Sequence, residues 1–213
     1  MNIYDRQQSI DLELPESAAV VGCGGVGFWA GLFMAMSGAK SLYLFDPDVV
    51  EVSNLNRLPI READIGKTKV VVLRELIVAL RPEAVVQAMP VELRPELLGV
   101  IKPKLVLDCT DKFRTQKALW KACAKLNIGY VRAGYDGTHI TITKEVKAWD
   151  ITENENEDYL VGPSWVVPAA VAGALGVFTA LRESKFDFSG DLAEMGRRNG
   201  TPITKKRSRG TRA

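Results

Sequence analysis

The stretch AVVGCGGVGFWAGLFMAMSG, residues 19–38, restricts the fold of this chain more than any other. A short apolar run ends in glycines, and an apolar helical pattern starts at once. Ala18–Val21 is apolar without alternation, so it reads as a strand buried on both faces. Gly22, Gly24, Gly25 and Gly27 allow a tight turn and a close backbone approach. VGFWAGLFMAMSG then reads as a helix closed by Gly38. A buried strand feeding directly into a helix opens a parallel sheet with crossover helices.

The chain repeats this unit. SLYLF, Ser41–Phe45, is a second strand. A helix is expected from about Lys67 to Leu80, stopped at Arg81-Pro82. AVVQAM is a third strand and LVLDCTD a fourth, followed by a helix over KFRTQKALWKACAKLN. YVRAG is a fifth strand. HITITKEVKAW alternates and so reads as an antiparallel continuation. The expected fold is α/β: a doubly wound, mostly parallel, Rossmann-like sheet with antiparallel strands near the C-terminal part. DITENENEDYLVGPS is an acidic, turn-rich loop, and VVPAAVAGALGVFTALRE is a closing helix. Trp165 and that helix read as core or dimer interface. From about Phe186 the apolar period is lost and Gly, Arg and Lys dominate. One domain over 1–185 and a basic, loosely ordered tail over 186–213 are therefore expected.

Composition excludes several classes. The 213 residues are 46% hydrophobic and 25% charged, which is ordinary for a soluble globular protein able to bury a core. The formal net charge of +2 gives no global pointer to nucleic acid, and the terminal KKRSRGTR reads as a solvated tail. Cys23, Cys109 and Cys123 form no CxxC pair, so neither zinc nor a disulfide framework is expected, and reduced thiols fit a cytoplasmic setting. The polar N-terminus lacks a signal-peptide pattern. The longest apolar stretch falls short of the roughly 20 residues a membrane span needs.

The glycine loop carries chemistry. A helix N-terminus offers unpaired N–H groups and positive potential to a phosphate. Asp46 ends the next strand about 20 residues on, where an acid takes ribose hydroxyls. This pattern indicates an adenine nucleotide and leaves NAD, FAD and ATP open. Four further features bear on the choice: the polar loop DPDVVEVSNLNR over residues 46–57, Lys67 and Lys69 in IGKTKV, Asp111 in DCTD, and Arg6 in YDRQ. An enzyme that breaks a triphosphate needs cations aimed at the leaving pyrophosphate and a carboxylate for Mg²⁺. Arg57, Lys69 and Asp111 would supply that set, with Asn54 fixing phosphate or ribose geometry. Competing roles are a turn former for Asp46 or Asp48, a cap for Asn54, and the N-cap of the following helix for Asp111. The only histidine, His139, reads as a sheet-surface or packed residue without a catalytic role, and Cys109 and Cys123 read as buried thiols.

VVGCGGVG, LFDPDVVEVSNLNR, IGKTKV and DCTD, in this order and spacing, resemble the ThiF/MoeB/ubiquitin-activating adenylyltransferases. The resemblance covers about residues 3–181. It implies a dimer that uses ATP and Mg²⁺ to adenylate the C-terminal Gly-Gly carboxylate of a ubiquitin-like or sulfur-carrier protein. It implies ribose binding by Asp46, with Asp48 as a second acid of that loop. It implies triphosphate contacts from Asn54, Arg57 and Lys69, and Mg²⁺ association for Asp111. Arg6, accompanied by Gln7, would reach the partner subunit's ATP. The loop Asp150–Gly162 has no cysteine, so the resemblance implies adenylation without an own thioester, completed by a separate sulfurtransferase or conjugating enzyme. The alternatives are an NAD(P)- or FAD-dependent oxidoreductase and a non-catalytic nucleotide-binding scaffold.

Overall fold

A computed structural model describes residues 2–146, 163–182 and 187–195. The chain opens with a 3₁₀ turn, Asp5–Gln7. Then follow β1 (Ala18–Val21), α1 (Gly25–Met36), β2 (Ser41–Phe45), α2 (Lys69–Leu80), β3 (Val85–Met89), α3 (Pro95–Ile101), β4 (Leu105–Asp108) and α4 (Phe113–Leu126). β5 (Gly129–Asp136), β6 (His139–Thr143), α5 (Val166–Ala180), β7 (Phe188–Asp191) and one helical turn, α6 (Leu192–Met195), follow, and two further 3₁₀ turns, Val52–Asn54 and Glu62–Asp64, lie between β2 and α2.

The strands form one sheet in the order β3-β2-β1-β4-β5-β6-β7. The first five in this order are parallel, while β6 and β7 add on antiparallel. The alternation of β1 explains the layers. Ala18 and Val20 face a core shared with α1, α2 and α5, whereas Ala19 and Val21 face α3 and α4. All four are buried, as the unbroken apolar run requires. α5 crosses α1 so closely that a Cβ on Gly173 would lie 3.0 Å from the Trp29 Cβ and from the Val26 carbonyl oxygen.

The chain leaves β1 toward β2 on one side and reaches β4 on the other. The crevice beyond the C-terminal ends of β1 and β4 is therefore the topological switch point, where open α/β sheets bind ligands.

The expected doubly wound, mostly parallel sheet is present, with corrections to its elements. α2 starts at Lys69 rather than Lys67, because Lys67 turns back to an ion pair with Asp64 (2.9 Å). β4 stops at Asp108, whose carboxylate pulls the chain into a turn. α3 is an element the sequence reading lacked. β7 lies where the tail was expected to have lost order. Phe188 and Gly190 pair with Ile142 and Ile140, so the sheet extends past residue 185. Trp165 is 49% exposed and is not core. The acidic loop and the basic C-terminal stretch lie outside the described residues.

His139 is on the sheet surface as expected, with Nε2 2.9 Å from Ser189 Oγ. No helix among the described residues is long and apolar enough to cross a membrane.

Candidate nucleotide site

The glycine loop is built between two neighbours. The Gly22 N–H donates to the Phe45 carbonyl (2.8 Å), and the Cys109 N–H donates to the Val21 carbonyl (2.8 Å). Gly22 has φ +79°, and its Cβ position lies 3.0 Å from the Cys109 carbonyl oxygen. Gly27 is tighter still: a Cβ there would sit 1.7 Å from the Gly22 oxygen. Gly24 differs, with nothing within 4 Å of its Cβ position, so the loop is open on that side. α1 starts at Gly25 with no side chain capping it, which leaves its first N–H groups facing the crevice.

Asp46 is 5% exposed and ties two loops together. Its Oδ2 accepts from the Cys23 N–H (2.7 Å) and its Oδ1 from the Asp48 N–H (2.8 Å). Burial raises its pKa above the usual carboxylate value, against the lowering effect of these bonds and of the nearby Lys69 charge. Asp48 pairs with Lys69 at 2.7 Å, and the Lys69 N–H also donates to the Asp48 carbonyl (3.0 Å). An antiparallel bridge between Val49 and Thr68 holds this loop against the start of α2.

Asn54 is buried and closes a 3₁₀ turn over Val52–Asn54. Its Oδ1 accepts from the Glu51 N–H (3.1 Å), so the structure gives it the capping job that competes with phosphate contact. Arg57 leans over the first residue of α1. Its Cδ and Nε lie 3.4 and 3.5 Å from the Gly25 Cβ position. Its Nη1 donates to the Ser53 carbonyl (2.7 Å) and to Asn56 Oδ1 (3.0 Å). Trp29 Nε1 donates to the Arg57 carbonyl (2.8 Å), which fixes the loop to α1.

Asp111 lies in the turn after β4 and is exposed. It is not the N-cap of α4, since that position is Lys112. The preceding residue touches the glycine loop, with the Thr110 nitrogen 3.2 Å from the Gly22 Cβ position. Below it sits Asp108, fully buried. Its Oδ1 accepts from the Thr110 N–H (3.0 Å) and Oγ1 (2.7 Å), and its Oδ2 accepts from the Tyr130 hydroxyl (2.8 Å). Desolvation raises its pKa. Gln116 Nε2 holds the Thr110 carbonyl from the other side.

Arg6 is elsewhere. Gln7 Nε2 donates to the carbonyl of Ser37, the C-cap of α1 (2.7 Å), and Tyr4 lies against Gly38. The twelve residues of α1 separate this corner from the glycine loop, a length of about 18 Å at 1.5 Å per residue. The structure thus gathers Gly22, Gly24, Gly25, Gly27, Asp46, Asp48, Arg57 and Lys69 around one crevice, brings to it the turn that carries Asp111, keeps Asn54 bonded within its own loop and leaves Arg6 outside.

Sequence reasoning passed over Asp108 and Tyr135. An acid ending an apolar strand was a usable signal for Asp108. Tyr135 had none. Its hydroxyl is 3.1 Å from the Gly25 Cβ position and hydrogen-bonded to Ser164 Oγ.

All three thiols are poor nucleophiles in this setting. Burial pushes Cys23 and Cys109 well above the ordinary thiol pKa, and pushes Cys123 up to about 12. Among the described residues no group of three or more His, Cys, Asp or Glu is placed to hold a metal by itself.

A glycine loop at the switch point of a doubly wound sheet defines a Rossmann-like nucleotide-binding fold. Residues 10–158 match the model of the ThiF family, and the chain belongs to that family. It is 32% identical over 145 residues to the sulfur carrier protein ThiS adenylyltransferase of Escherichia coli, covering 65% of this chain and 57% of that protein. It is 33% identical over 122 residues to the tRNA threonylcarbamoyladenosine dehydratase of Haemophilus influenzae, covering 55% of this chain and 47% of that protein. The chain thus spans about half the length of these relatives. In fold it resembles Escherichia coli MccB crystallised with MccA-N7isoASN, at a TM-score of 0.68 and 19% identity over 89% of this chain and 66% of that one.

Proposed function

We propose that this chain uses ATP to adenylate the C-terminal carboxylate of a ubiquitin-like or sulfur-carrier protein and releases pyrophosphate. One observation carries the reading: Arg57, Lys69 and the Asp111 turn converge on the glycine loop at the switch point of a ThiF-family chain. An oxidoreductase would leave the two cations and Asp111 without work. One of the relatives is named as a dehydratase and not as an adenylyltransferase, so the acceptor in this reading is a proposal for this chain.

The residues fit a nucleoside triphosphate. The open side of Gly24 gives a phosphate room to approach the N–H groups of α1. Asp46 takes the ribose and Asn54 steadies the loop above it. Arg57 and Lys69 draw the pyrophosphate as the acceptor carboxylate attacks the α-phosphorus in line. That carboxylate is already ionised near pH 7, so no general base is needed. Lys69 exchanges Asp48 for phosphate oxygens in this step.

Asp111, an exposed carboxylate that belongs to no acid cluster among the described residues, also fits Mg²⁺, which binds through one or two carboxylates plus substrate phosphates. Asp111 would hold that ion, which neutralises phosphate charge. Asp108 and Gln116 set the position of the turn that carries Asp111.

The acyl-adenylate passes to a nucleophile on another molecule, a sulfurtransferase or conjugating enzyme, because the three thiols of this chain are buried or strongly raised in pKa. Arg6, remote from its own crevice, acts in a second copy within a cytoplasmic homodimer.

ATP–pyrophosphate exchange with Mg²⁺ and small proteins ending in Gly-Gly tests the reading. Carrier-dependent exchange that is lost in Asp111→Asn supports it. Exchange that survives Asp111→Asn, or a protein that does not bind ATP in calorimetry, refutes it.

A further inference from the structure

We infer that Tyr135 is a further binding residue of the nucleotide site, its hydroxyl donating to the phosphoryl group held at the start of α1. This rests on the ATP-dependent reading above.

The position follows from the sheet. β4 ends at Asp108, which pairs with Arg132, so Gly134, Tyr135 and Asp136 overrun β4 and are supported only by β6. The overhang stands above the C-terminal ends of β1 and β4. Tyr135 shares the face of Val131 and Ala133, both buried in the layer that contains α1 and α5. Its ring therefore points over the glycine loop rather than toward α3 and α4.

Two groups meet at one spot. The Gly25 Cβ position lies 3.1 Å from the Tyr135 hydroxyl and 3.4 Å from Arg57 Cδ. A side chain at residue 25 would occupy the space both groups line. On its other side the hydroxyl is hydrogen-bonded to Ser164 Oγ. Ser164 does not depend on Tyr135 for its place, since Asn56 Nδ2 donates to its carbonyl (2.8 Å). With Ser164 donating, the phenol keeps its own proton for an acceptor at the head of α1. A phosphoryl oxygen is such an acceptor, and the phenol adds direction where Arg57 adds charge.

The test compares Tyr135→Phe, which keeps the ring, with Ser164→Ala, which breaks the same hydrogen bond from the other side. Calorimetry reads the affinity of each protein for Mg²⁺-ATP and for adenosine. Tyr135→Phe should bind ATP about 10- to 100-fold more weakly, as expected for one hydrogen bond to a charged group, with adenosine affinity unchanged. Ser164→Ala should stay within about 3-fold for both ligands, below the effect of one such bond. Equal losses in the two variants, or a parallel loss for adenosine, would show that Tyr135 merely anchors Ser164 and overturn the assignment. Full ATP affinity in Tyr135→Phe, with the unchanged protein binding ATP, overturns this assignment alone. An unchanged protein that binds no ATP overturns the nucleotide reading and this one with it.

Discussion

Replacing Gly27 and Gly24 with alanine, one at a time, should damage this protein in opposite ways. An alanine Cβ at position 27 would be 1.7 Å from the Gly22 oxygen. Ordinary C···O contacts lie at about 3.3 Å or beyond, so the atoms must part by roughly 1.5 Å. Gly22 has nowhere to retreat. The Cys109–Thr110 backbone closes one side, and the Gly22 N–H is bonded to the Phe45 carbonyl. Overpacking costs about 1–3 kcal/mol and a lost buried hydrogen bond about 1–3 kcal/mol. The better helix propensity of alanine returns at most about 1 kcal/mol. The net loss should be about 1–6 kcal/mol, or roughly 2–24 °C in melting temperature for a chain of this size. At Gly24 the Cβ meets nothing within 4 Å and the residue has φ −79°, so alanine is sterically permitted. Its cost as an N-cap should stay under about 1 kcal/mol. ATP affinity should nevertheless fall by about tenfold or more, because the added methyl fills the phosphate approach. Urea denaturation and ATP calorimetry on both variants decide the matter. Gly27→Ala within about 1 kcal/mol of the unchanged protein would refute the packing argument. Full ATP affinity in Gly24→Ala would refute the placement of the phosphate.

Mixing inactive Arg6→Ala and Lys69→Ala subunits should restore about one quarter of the exchange activity after subunit exchange, since half the dimers would carry one intact site of two. No recovery would mean that Arg6 does not act across a dimer. Asp46→Asn places an amide N–H against the Cys23 or Asp48 N–H, and should cost about 1–3 kcal/mol in urea denaturation even without ATP. Arg61 and Lys67 hold Asp64 well below the usual carboxylate range. A lowered folded-state pKa contributes stability above the unfolded value and loses it on acidification. The destabilisation by Asp64→Asn, followed by urea midpoints, should therefore be constant near neutrality and shrink as pH falls below about 4. A thiol reagent at pH 7.5 should modify Cys23 and Cys123 only after denaturation, and rapid labelling of either in the native protein would contradict its burial.

Most strands were legible because a parallel sheet buries both faces and leaves unbroken apolar runs. Val20, Leu44 and Leu107 all lie in such runs and all are fully buried. α3 was missed because PELLGVI is short and contains Gly99, although Pro95 at its first position was a usable start signal. β7 was illegible for a deeper reason. FSGD has little strand propensity, and the open edge of β6 makes it a strand, so tertiary pairing overrides local preference. Within the candidate site, spacing along the chain pointed to Gly22–Gly27, Asp46, Arg57, Lys69 and Asp111. Spacing cannot reveal that Arg6 sits at the far end of α1, or that β5 outruns β4 and carries Tyr135 over the loop. Both depend on how long neighbouring elements are once they pack.

The seat of the glycine loop also sets an order of assembly. β1 pairs with β2 soon after it in the chain, but its other neighbour, β4, lies about 85 residues on, a closure that is entropically slow. Until Cys109 and Thr110 arrive, Gly22 lacks the wall against which it turns. A nascent chain that has emerged only as far as α2 holds Gly22–Gly27, Asp46, Arg57 and Lys69 but neither Asp111 nor a pocket. Nucleotide therefore has nothing to grip in early folding intermediates, and it should slow unfolding of the finished protein without speeding its formation.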